Sequence, residues 1–110
     1  MFIFRVFLGL SMLYAHGIPK LKKYSQLSSS FPDPLGIGSK VSLLLVIFSE
    51  VVCSIFLVLG FKIRLSLIPL IITMLVAVFI VHLDDPYSKK EMALLYLFGY
   101  ITIFFHEQQK

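Results

Sequence analysis

The stretch Ser42–Gly60, SLLLVIFSEVVCSIFLVLG, is apolar from end to end apart from a few small residues and one carboxylate, Glu50, near its middle. At ~1.5 Å per residue such a run, wound as a helix, crosses most of the ~30 Å hydrocarbon core of a bilayer. A charge at the bilayer centre costs about 2.5–3.5 kcal/mol on insertion scales, so the carboxylate requires a compensating group. Val46, Ser49, Cys53 and Ser54 lie within one helical turn of it. Small and polar residues therefore gather on the side of Glu50, and Leu, Val, Ile and Phe take the rest. In lipid, small faces are helix-packing faces. Glu50 is predicted to point into a bundle.

Composition supports the membrane reading. The chain has 110 residues, of which 58% are apolar and 15% charged, and its mean hydropathy is +0.93. Those values lie far from a soluble globular domain and predict an integral, multi-pass protein whose first partner is the lipid bilayer. The net charge of +4 does not point to nucleic acid. Lys20, Lys22, Lys23 and Lys40 flank the apolar runs, where anionic headgroups attract them. The single cysteine, Cys53, excludes an intrachain disulfide and a CxxC redox pair; it reads as packing. Met1–Ala15 is apolar, but Arg5 sits inside the run and no small-residue cleavage site precedes Gly17, so it reads as a retained span.

Four spans are predicted in one domain, 1–110, at about 2–17, 41–60, 64–82 and 91–105. The fold class is all-α: an integral membrane four-helix bundle. Pro19 disfavours helical geometry at Ile18, so the first span should end or kink at His16–Gly17. Pro19–Leu27 then forms a short interfacial helix, and Ser28–Ser39 an irregular loop from which Phe31 dips back toward the bundle. Gly60 is a helix stop, and the short turn after it makes the second and third spans antiparallel neighbours. Pro69 leaves the Leu65 carbonyl without its helical donor. The excess of lysine on the face of the long loop places that loop in the cytoplasm, in a bacterial or archaeal plasma membrane.

Each span carries its polar groups along a stripe. Arg5 and His16 lie about three turns apart, with Gly9 and Met12 near the line. Arg64 and His82 lie about five turns apart, with Ile71, Leu75 and Val78 between them. Glu91, Leu95, Phe98 and Thr102 share a face, as do Glu50, Cys53 and Ser54. Polar stripes facing inward give a polar interior. Counting depth along each span brings His16, Glu50, His82 and Glu91 together, with Lys20 at the mouth of the cluster. Against this stand plainer roles: snorkelling for Arg5 and Arg64, helix-end capping for His82 and Glu91, and helix-to-helix glue for Glu50.

The ordered set of residues resembles the DoxX family of small four-span membrane proteins. The matching pieces are Arg5 with Gly9, His16-Gly17 with Lys20, the mid-span glutamate in SEVVCSIFLVLG, Arg64 soon after Gly60, Met74, His82 before a polar turn, and Glu91 in EMALLYLF. The resemblance runs over about residues 3–105, and the chain departs from it in ending its last span with FFHEQQK. It implies a four-helix bundle that serves as a membrane subunit linked to quinone- or thiol-coupled redox complexes.

Two functional readings follow. In the first, the protein is a small subunit of a redox-associated complex. Glu50, His16, His82 and Glu91 then carry proton exchange, histidine being the side chain that titrates near neutral pH, while Lys20, Arg64, Arg5 and Met74 contact a quinone-like ligand. The chain has no electron carrier of its own, and two histidines near helix ends are a poor basis for haem. A redox partner protein must supply the electrons, and association with further copies of the chain is a second kind of partnership. In the alternative, the protein is a non-enzymatic assembly or scaffold protein whose polar core only fixes packing. A small carrier fits less well, because no internal repeat is visible.

Overall fold

The computed structural model describes residues 1–28, 36–81 and 84–108, the side chains of Lys89 and Gln108 excepted. Phe31 and His82 lie outside the described residues. Every regular element within them is helical. We label the helices α1 (Phe2–Lys22), α2 (Tyr24–Leu27), α3 (Ser39–Leu59), α4 (Ile63–Val81) and α5 (Tyr87–Gln108). Three of them, α1, α3 and α4, are long and apolar enough to cross a membrane, with mean hydropathies of 1.4, 2.6 and 2.5. α5 has 22 residues but carries Lys90, Glu91, His106 and Glu107, and is not among them. The long axis of 41 Å matches a bilayer with its headgroups.

The helices pack in chain order. α1 lies along the second half of α3, α3 along α4, and α4 along α5; the seam that returns from α5 to α1 is thin. Met12, Leu57, Leu67, Leu70, Met74, Val78, Leu97, Tyr100 and Ile103 form the core. The outer faces are as apolar as the inner ones: Ile3, Phe7, Leu59, Leu65 and Phe98 are all exposed. On a soluble protein this would be one continuous sticky surface; in a bilayer it is the lipid contact. This is an integral membrane protein.

Gly60 ends α3 as expected. Its φ of +74° is the left-handed cap, and the Phe61 N–H donates to the Phe56 carbonyl at 3.0 Å to close the last turn. Lys62, at φ +48°, completes the reversal into α4.

Three features depart from expectation. First, α1 does not end at His16–Gly17. It runs on through Pro19, and Ile18 is helical at φ −62°, ψ −45°. Over Leu13–Gly17 the backbone widens to i→i+5 bonding, with the Ile18 N–H donating to the Leu13 carbonyl. A widened turn relieves the clash between a proline ring and the preceding turn. Second, α5 starts at Tyr87, four positions before Glu91. Ser88-Lys89-Lys90-Glu91 is no obstacle to a helix, and helix propensity does not stop at the membrane boundary. Third, the α5 stripe faces outward and the α4 stripe is split between the two faces. On α5, Glu91, Leu95, Phe98 and Thr102 are exposed, while Ala93, Leu97, Tyr100 and Ile103 turn in. Thr102 tolerates this because its hydroxyl donates to the Phe98 carbonyl at 2.7 Å. On α4, Arg64 and Leu75 are exposed and Ile71 is half-buried, but Val78 of the expected stripe turns in with Leu67, Leu70 and Met74.

Candidate functional site

Glu50 is buried, and its compensating group is Lys20. The Lys20 Nζ donates to Glu50 Oε1 at 2.7 Å, with the lysine side chain 25% exposed and the carboxylate 4%. The lysine thus reaches in from the headgroup side and the carboxylate stays inside. Breaking such a buried pair by removing one partner costs about 3–5 kcal/mol, because the other charge is stranded.

Backbone geometry brings the pair together. Glu50 sits in a second i→i+5 turn, Phe48–Cys53, and this packs against the turn of α1 that holds His16 and Gly17. Wide turns of this kind recur at functional sites. The contact depends on Gly17: a Cβ there would stand 2.7 Å from the Glu50 carbonyl oxygen and 2.9 Å from Val51 Cγ2. A second glycine, Gly9, makes the same close approach nearer the other end, where a Cβ would stand 2.7 Å from Val58 Cγ2.

Aromatic side chains of α5 close the site. His16, half-buried, meets the Tyr96 ring edge-on at 5.6 Å between centroids. Tyr96 in turn lies 6.0 Å from the ring of the fully buried Tyr100. Along the thin α1–α5 seam runs an outward-opening groove of about 520 Å³, lined by Phe7, Leu8, Ser11, Glu91, Leu95 and Tyr96 among others. Tyr96 belongs both to the groove and to the ring contact with His16.

The structure brings His16, Lys20 and Glu50 into one site and puts Glu91, exposed, on the wall of the groove. His82 falls outside the described residues, and Arg5, Arg64 and Met74 lie elsewhere. Arg5 is buried at the other end of α3, where its Nη1 donates to the Leu57 carbonyl and, at 3.4 Å, to that of Val58. A guanidinium there adds a charged donor at a helix C-terminus, where backbone donors run out and the dipole favours a cation. Arg64 is exposed and stacks on Phe104, its Cζ 4.5 Å from the ring centroid. Met74 is core packing.

A family model described as DoxX matches residues 1–83. The chain belongs to the DoxX family. The matched part of this DoxX-family chain holds α1, α3 and α4, and with them the Lys20–Glu50 pair; α5, with Tyr96 and Tyr100, follows it. No curated protein and no solved structure matches the chain.

Sequence reasoning missed Tyr96 and Tyr100. The signal was present: Ala93, Tyr96, Leu97 and Tyr100 share one helical face. Glu91 drew attention to the opposite face. The bond between Ser49 Oγ and Thr73 Oγ1, 2.8 Å long, was also missed; it ties α3 to α4 one residue before Glu50.

Proposed function

We propose that this DoxX-family chain is a four-span bundle, with α5 as the fourth crossing, that serves as a small subunit of a redox-associated complex in a bacterial or archaeal plasma membrane. It binds a quinone-like ligand in the α1–α5 groove and exchanges protons with it through Tyr96, His16 and the Lys20–Glu50 pair. One observation carries this reading: Tyr96 lines the groove and at the same time touches His16, beside the ion pair. A ligand with an apolar ring and hydrogen-bonding oxygens suits a wall of Phe7, Leu8 and Leu95 interrupted by Ser11 and Tyr96. It enters sideways from the bilayer, where such molecules dissolve. The Tyr96 hydroxyl and His16 hold its oxygens, and Glu50 takes up or gives back the proton while Lys20 balances the charge. Quinone chemistry supplies the electron transfer when the ligand is bound, and a partner protein supplies the electrons.

A second reading is favoured by the pair itself. Glu50 already has a close partner in Lys20, which is what interhelical glue provides, and a scaffold protein needs no more. Glu50→Gln and Tyr96→Leu separate the two. In the redox reading, Tyr96→Leu weakens equilibrium binding of a short-chain benzoquinone at least tenfold, and Glu50→Gln abolishes quinone-dependent activity in host membranes at normal abundance. Unchanged binding in Tyr96→Leu, together with full activity in Glu50→Gln, would leave the scaffold reading standing.

A further inference from the structure

Two buried hydroxyls, Tyr100 Oη and Ser54 Oγ, have no hydrogen-bond partner among the described residues. Both residues are 0% exposed. Burying a hydroxyl without a partner is costly, and native interiors avoid it. Two such groups in one small protein need an account.

Their positions supply it. Ser54 lies one turn beyond Glu50 on the same face of α3. The Tyr100 ring is 6.0 Å from that of Tyr96, and Tyr100 shares the core cluster with Cys53, the neighbour of Ser54. α3 and α5 do not pack closely on each other; each is flanked by α1 and α4. An internal water needs two to four polar partners, and buried waters occur at about one per 27 residues. The hydroxyls of Tyr100 and Ser54 and the Glu50 oxygen not held by Lys20 are candidates for that set.

We propose that Tyr100 and Ser54 bound an internal hydrated site at the centre of the helices, and that its water links Glu50 to Tyr96 at the groove wall. Resting on the redox reading above, the site is a proton path. A proton released at the groove reaches the Glu50 carboxylate as each O–H bond along the chain breaks and the next one forms, and it leaves to the aqueous face past Lys20. The hydrated site itself does not depend on that reading.

Cys53 is the chain's one cysteine and lies three positions beyond Glu50, buried. Its S–H stretch in the infrared therefore reports on this place alone. On transfer of the purified protein to D2O, the wild-type S–H band should convert to S–D within minutes, and Tyr100→Phe should slow the conversion at least severalfold. An S–H band that persists for hours in the wild type marks a dry interior and overturns the proposal. Thermal unfolding is the second measure. Loss of a hydroxyl that holds water lowers the Tm of Tyr100→Phe; a raised Tm means that the hydroxyl was merely stranded, and it overturns the proposal equally. Neither measurement uses a ligand, so failure here is distinct from failure of the quinone reading.

Discussion

Gly17→Ala tests the contact on which the site rests, because its sign is opposite to the ordinary one. In an open helix interior, replacing glycine by alanine stabilises by about 1 kcal/mol. At Gly17 the new methyl would stand 2.7 Å from the Glu50 carbonyl oxygen, and ordinary contact begins at 3.4 Å, so α1 and α3 must part by about 0.7 Å. The obstacle is backbone on one side, which has no rotamer with which to yield. Overpacking of this kind costs about 1–3 kcal/mol. The same displacement lengthens the 2.7 Å Lys20–Glu50 bond beyond good geometry, and a hydrogen bond to a charged group is worth about 1.5–3 kcal/mol. The two losses overlap, and we expect a net destabilisation of about 2–4 kcal/mol. Unfolding by SDS titration from mixed micelles measures it. Combining Gly17→Ala with Lys20→Met tests the coupling: part of the loss should vanish when the pair is already broken. Gly99→Ala is the control, since there the methyl meets only the ends of the Leu8 and Phe4 side chains. Were Gly17→Ala as stable as the wild type, or its effect fully additive with Lys20→Met, the close approach would not be what positions the pair.

Arg5→Met should destabilise by about 1.5–3 kcal/mol in the same titration, because it removes the charged donor to the Leu57 and Val58 carbonyls at the end of α3; it should leave benzoquinone binding unchanged. Ser49→Ala removes the hydroxyl bond to Thr73, and a loss of about 0.6 kcal/mol, the average for such bonds in membranes, is expected. With α5 as a fourth crossing, tags at the two termini should be labelled from the same side of sealed vesicles. Labelling from opposite sides would mean that α5 does not cross.

Much of the fold was legible because bilayers impose blunt rules. A run such as Ser42–Gly60 has few alternatives to a spanning helix, and Gly60 announces its own left-handed cap. Glu50 was legible for the same reason, since a buried charge demands a partner, and Lys20 was already placed at the mouth of the cluster. What could not be read was rotation. In a soluble helix the polar side faces water, and one stripe fixes the orientation. In lipid both sides are apolar, so a few polar residues were used to orient α4 and α5, and they misled. Arg64 finds an aromatic ring at the surface, and Thr102 satisfies itself against its own backbone. The inward face of α5 is instead set by Ala93, Leu97, Tyr100 and Ile103, which fit against α4 by shape. The wide turns were illegible as well, because a pattern counted in steps of 3.6 contains no mark of where the step changes.

Gly9 and Gly17 stand eight positions apart, yet both meet α3, at Val58 and at Glu50. At about 100° per residue, eight positions end roughly 80° away from the starting direction, whereas seven end only about 20° away. The i→i+5 turn over Leu13–Gly17 takes up the surplus residue, so the two glycines face one helix as if a heptad separated them. A residue gained or lost between them would swing the amino-terminal half of α1, with Arg5, by about 100° off the end of α3. The fit of this seam therefore depends on the number of residues between the two glycines as well as on their identity.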